Sequence, residues 1–120
     1  MISDRYDPRK IRPGELTAVL NAAAGRLETT GWRQGTAGYA EGPNCLLGAI
    51  WWEVKAFADI PGEVMSADQL ARADSLYTAA ISAFTQVIDA IDVVAWNDDA
   101  DRVVAEVTGK LREAAALADG

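Results

Sequence analysis

An all-α fold is predicted by three features of this 120-residue chain. Apolar residues recur at three- and four-residue spacing in separate segments, the period of a helix with one buried face. Capping residues stand where those segments begin, and glycine or proline where they end. No run of alternating apolar and polar residues competes as a strand. The expected architecture is a four-helix, bundle-like single domain over residues 13–120. An N-terminal arm over residues 1–12 precedes it, and a structured glycine-rich loop joins helix one to helix two.

The arm carries Arg5, Arg9, Lys10 and Arg12, and Pro8 and Pro13 discourage regular structure in it. Pro13 suits a first helical turn, where its missing N–H costs nothing. Leu16, Val19, Leu20, Ala23, Ala24 and Leu27 then set helix one, from Pro13 to Thr30. Gly31 stops it by supplying the left-handed residue past the last turn. Gly35, Gly38 and Gly42 mark the loop that follows, with Tyr39 as a short extended piece. Asn44 is placed to cap a second helix from Cys45 to Ala58. Leu46, Leu47, Ile50, Trp51, Trp52, Val54 and Phe57 make that helix apolar over most of its girth, as expected of the central one. Trp51 and Trp52 are expected in the core and at its edge, and Pro61-Gly62 ends the region.

Ser66-Ala67-Asp68-Gln69 has the form of a capping box. The seam from Leu70 through Tyr77, Ile81 and Phe84 to Ile91 predicts a third helix of about 25 residues, or about 37 Å at the standard rise. That exceeds its neighbours. With no Pro or Gly inside it to kink, a homodimer with this helix in the interface is expected. The last helix follows Asn97-Asp98-Asp99 and buries Val104, Val107, Leu111, Ala114, Ala115 and Leu117.

Composition narrows the function. The net charge is −7 and the chain has no His and one Cys. An acidic surface does not suit phosphate neutralisation, so nucleic acid is not an expected partner. No apolar run approaches the roughly 20 residues of a membrane span, so no membrane partner is expected. The polar first residues read as no secretory signal, and the cytoplasm is the expected compartment. One Cys without His builds neither a structural zinc site nor a Cys-His pair. No metal and no cofactor are expected. Asn97, Asp99 and Asp101 alternate like calcium ligands, but Arg102 and Thr108 stand where such a loop needs Gly and Glu. An acidic helix N-terminus is the better reading of these residues.

Two clusters exceed what helix packing asks for: Gly31-Trp32-Arg33-Gln34-Gly35 and Trp96-Asn97-Asp98. A buried indole N–H needs an acceptor, and each Trp has an amide side chain close by. The two clusters are expected to meet in space. The candidate binding residues are Trp32, Gln34, Cys45, Trp96, Asn97 and Asp98, with none assigned to catalysis. Cys45 at a helix N-terminus could be an activated thiol. The favoured reading is a small buried apolar residue.

Gly31-Trp32-x-Gln34-Gly35, Cys45-x-Leu47-Gly48-Ala49 and Trp96-Asn97-Asp98 together resemble an uncharacterised family of small proteins from actinobacteria and their phages. The likeness runs from helix one to the C-terminus. It implies the architecture and no activity, since that family has none assigned. Many of its members follow the Trp-Asn-Asp corner with Arg-Thr, whereas here Arg102 is followed by Val103. The leading expectation is a non-enzymatic binding protein with a protein partner, a phage-encoded or phage-like modulator of a host protein. One alternative is an enzyme using Cys45 or Asp98 in a small pocket. The other is a DNA mimic, suggested by Asp74, Asp89, Asp92, Asp98, Asp99 and Asp101 in a stretch without Lys or Arg.

Overall fold

In the computed structural model, which describes residues 7–35, 42–58, 66–88 and 92–118, the helices are α1 (Glu15–Thr30), α2 (Leu46–Phe57), α3 (Ala67–Thr85), α4 (Val93–Asn97) and α5 (Val104–Ala118). No strand occurs among the described residues, and the all-α prediction holds. Tyr39, Gly38, Pro61-Gly62 and residues 89–91 lie outside the described residues.

The described part of the arm is a docked 3₁₀ turn, Pro8–Lys10, rather than irregular chain. The Asp7 carboxylate caps it by accepting the Arg9 N–H at 3.0 Å. The Asp7 N–H donates to Ser75 Oγ at 2.7 Å, and Lys10 pairs with Asp68 at 2.9 Å, so both ends of the turn are held by α3. α1 begins two residues later than expected. Gly14 precedes it in the left-handed region at φ 76°, which breaks the helical backbone before Glu15, so Pro13 stays outside the helix. Gly31 ends α1 at φ 100°, its N–H donating to Leu27 O at 3.2 Å.

At α2 the cap is Cys45, not Asn44. Cys45 Sγ accepts the Gly48 N–H at 3.3 Å. Asn44 is instead fully buried in a parallel bridge with Trp32. The Asn44 N–H donates to Gly31 O at 3.1 Å, and the Arg33 N–H donates to Asn44 O at 2.9 Å. This bridge closes the glycine-rich loop at its neck.

The capping box on α3 forms as read, with Ser66 Oγ accepting the Gln69 N–H at 3.1 Å and Gln69 Oε1 accepting the Ser66 N–H at 2.9 Å. The helix does not reach Ile91. It stops at Thr85 after 19 residues, or about 28 Å. The Thr85 hydroxyl donates back to Ile81 O at 2.6 Å, and the Val87 N–H closes a tight turn on Phe84 O at 3.1 Å. Ile88 thereby folds into the core. Asp92 then starts α4 by accepting the N–H groups of Val94 and Ala95 at 3.0 and 3.3 Å. No overlong helix remains to be covered: Phe84 is buried, while Tyr77 and Ile81 are half-buried against the core.

The N–H of Val103, the residue just before α5, is satisfied by the Glu106 carboxylate at 3.2 Å. Val107, Leu111, Ala114 and Ala115 are buried, but Val104 and Leu117 are exposed, because the face toward α1 is narrower than the apolar stripe. α1, not α2, takes the middle. It packs most extensively on α5, then on α2, and touches α3, whereas α2 meets α1, α3 and α4. Trp51 is accordingly half-buried against the core rather than within it, and Trp52 is half-buried, as expected of a residue at its edge.

Candidate functional site

Asn97 brings three segments of chain together. It ends α4, only 2% exposed, and uses all the polarity of its side chain. Its Oδ1 accepts the Trp32 indole N–H at 2.7 Å and the Leu46 backbone N–H at 3.1 Å. Its Nδ2 donates to Arg33 O at 3.3 Å and to Asp98 Oδ1 at 2.9 Å. Only a carboxamide combines two acceptances with two donations on a side chain this short. The Leu46 N–H is one of the four that a helix leaves unpaired at its start, so Asn97 caps α2 from a distance of 51 residues in sequence.

Gln34 and Gly35 complete this clasp. Gln34 Nε2 donates to Asn97 O at 3.0 Å and to Asp99 O at 2.7 Å. The Gly35 N–H donates to Asp98 Oδ1 at 2.9 Å, with Gly35 in the left-handed region at φ 91°. The Asn97 amide, and after it the Gly35 N–H, hold the Asp98 carboxyl below its ordinary value, against a small opposing effect of burial. Asp98 Oδ2 takes no hydrogen bond from a described residue. Trp32, Gln34, Asn97 and Asp98 therefore converge.

Trp96 does not join them. Its indole, 8% exposed, meets Phe84 edge-on at 5.3 Å between ring centroids. The Arg102 guanidinium covers its other side, 3.9 Å above the ring, and Arg102 Nε donates to Trp96 O at 3.0 Å. Trp96 is core packing, and the two indoles line different surface hollows.

The cleft beside the clasp is a different one, of about 400 Å3. Leu47, Gly48, Trp51 and Trp52 of α2 form one wall. Tyr77 of α3 and Val94 of α4 also line it, together with Cys45, Gly35, Asn97 and Asp98 from the clasp. Trp51 and Tyr77 meet edge-on at 5.4 Å, and the Lys55 ammonium stands 5.1 Å from the Trp52 ring centre. Burial pushes the Tyr77 phenol above its usual value, with a further push from Cys45, so it stays a neutral hydroxyl at physiological pH. Cys45 is half-exposed at the mouth, not buried as expected, because its cap position turns Sγ toward the first turn instead of the core.

Of the candidate residues, Cys45, Asn97 and Asp98 line this cleft and Trp32 and Gln34 support it from behind. Periodicity did not single out Trp51, Trp52, Tyr77 or Val94 as site residues. The available signal was the excess apolar width of α2, more than two neighbouring helices can cover.

Among the described residues, no group of three His, Cys, Asp or Glu side chains is gathered as a metal site. No described helix is long and apolar enough to cross a membrane. The model of DUF6197, a family of unknown function, matches residues 12–117. No curated protein and no solved structure matches the chain.

Proposed function

The chain belongs to DUF6197, and from that premise we propose that it is a non-enzymatic binding protein whose binding site is the cleft between α2, α3 and α4. One observation carries the reading: an aromatic-walled cleft of about 400 Å3 in which the Tyr77 hydroxyl and Asp98 Oδ2 make no hydrogen bond to a described residue. Apolar walls with a few convergent polar groups are the usual make-up of a ligand pocket. The Asn97 clasp ties the cleft mouth to three segments of chain, so the site is preorganised. In the cell we propose the role of a modulator of a host protein, phage-encoded or phage-like, acting in the cytoplasm. The motif resemblance and the charge of −7 support it, the latter favouring a basic partner.

A screen of small aromatic and aliphatic fragments by NMR tests the site. Hits are expected to shift the indole N–H signals of Trp51 and Trp52 and the backbone signals of Val94 and Asp98. Hits mapping instead to the Leu117 end of α5, or none at all, would end this reading.

An enzyme using Cys45 or Asp98 is the second reading. The observation in its favour is Cys45 Sγ at the N-terminus of α2, accepting the Gly48 N–H inside the cleft. Alkylation by iodoacetamide in the folded state discriminates. A catalytic thiolate reacts much faster than free cysteine at neutral pH, and a capping thiol reacts no faster. The DNA-mimic reading has less behind it, since the carboxylates of Asp92, Asp98 and Asp99 are each turned to a nearby backbone N–H.

A further inference from the structure

We infer that the cleft takes an organic cation carried on a flat apolar body, its N–H groups on Asp98 and its body against Trp51 and Tyr77. This rests on the binding reading above and names the class of ligand. Asp98 is the one charged residue among the described residues that line the cleft. Its Oδ1 is fixed by Asn97 Nδ2 and the Gly35 N–H, so the direction of Oδ2 is fixed too. The same two contacts keep the carboxyl ionised at neutral pH. A cationic N–H donor gains a charge-assisted hydrogen bond there, and an anion meets repulsion from a chain of charge −7.

The aromatic wall points the same way. Indole and phenol faces attract cations as well as flat apolar groups. Lys55 already stands over the Trp52 ring but does not line the cleft, which leaves Trp51 and Tyr77 to the ligand. The volume suits a group of one ring with a short polar head. A free aryl cation has this chemistry, whereas an arginine side chain carries its cation on a flexible aliphatic stem and has no flat apolar body.

The test is an NMR titration of the full chain with benzamidine, its neutral isostere benzamide, and benzoate. Benzamidine is expected to bind with roughly millimolar affinity, as befits a fragment. Benzamide should bind about tenfold more weakly and benzoate more weakly still. Asp98→Asn keeps Oδ1 for Asn97 and Gly35, so it should retain the fold, which circular dichroism checks. In that variant the benzamidine-to-benzamide ratio should fall to near one. Equal binding of the two by the natural chain, or a ratio that survives Asp98→Asn, would overturn the cation while leaving the cleft as a binding site. No shift of Trp51, Trp52 or Tyr77 with any of the three would sink the cleft itself. Acetyl-arginine amide is expected not to compete with benzamidine, and competition at similar concentration would overturn the flat aryl body.

Discussion

At the scale of the residue, Asn97 holds the Trp32 segment, the start of α2 and the end of α4 together. Removing its amide leaves the Trp32 indole N–H and the buried Leu46 N–H without their acceptor. Each stranded donor costs up to a few kcal/mol, so Asn97→Ala should destabilise the fold by about 3 kcal/mol. Urea unfolding at pH 7 measures this. A loss under about 1 kcal/mol would mean that water replaces the amide at little cost. The convergence of the Trp32 and Trp96-Asn97-Asp98 clusters was legible in the sequence, because an indole beside a loop needs an acceptor and an amide supplies one. Which of the two tryptophans makes that bond was not. Trp32 and Trp96 have equal claims by composition, and only the packing of Trp96 on Phe84 removes one of them.

At the scale of the element, Cys45 is the test of how α2 begins. Its thiol is the side-chain acceptor for the Gly48 N–H. Serine is a preferred residue at this position, so Cys45→Ser should leave stability unchanged or raise it slightly, while Cys45→Ala should cost about 1 kcal/mol. Thermal unfolding of the pair decides. Equal effects of Ala and Ser would show that Cys45 acts through packing and not as a cap. The capping box on α3 was readable from Ser66 and Gln69, because the signal is local and its partners lie three residues apart. The end of α3 was not readable. The apolar seam runs on through Val87 and Ile88, and periodicity cannot tell a continuing helix from a turn that folds the same residues into the same core.

At the scale of the whole molecule, Arg72 joins the arm, α1, α2 and α3. It donates to Lys10 O and Phe57 O at 2.8 and 3.0 Å and forms a two-pronged pair with the Glu15 carboxylate. The two side chains are 14% and 6% exposed, so removing one strands a charge that water hardly reaches. Arg72→Met should cost about 3 kcal/mol. Burial raises the Glu15 carboxyl, but its bonds to Arg72 and to the Arg12 N–H outweigh that and set it below the ordinary 4.5. Asp7, Glu28, Asp68 and Asp98 are lowered as well, each chiefly by a side-chain hydrogen bond. Groups depressed in the folded state add stability that is fully present above their unfolded values and is lost as pH falls through the folded ones. Urea midpoints should therefore be flat from pH 7 to about 5 and then fall toward pH 2, less steeply in Glu15→Gln. A midpoint that rises in acid would contradict this. The radius of gyration, 13.4 Å, matches the roughly 13.6 Å of a compact chain of this length. With α3 ending at Thr85, the overhang that motivated a homodimer is gone, and sedimentation equilibrium is expected to give a monomer mass.

The existence of α1, α2, α3 and α5, the buried face of α1, the capping box and the all-α class belong to the sequence by itself. They are short-range properties: a residue's propensity, its cap and the face it shares with residues three and four away are complete within one segment. What lies opposite each face was decided by the tertiary structure. The apolar girth of α2 could have been filled by neighbours and made a core, but α1 took the centre. Trp51 and Trp52 were left as one wall of a cleft that Tyr77 and Asp98 also line. A site of this kind is a remainder, the apolar surface that the other helices do not cover. Periodicity names the residues of a face but not its partner, so the remainder appears only when all the helices are in place.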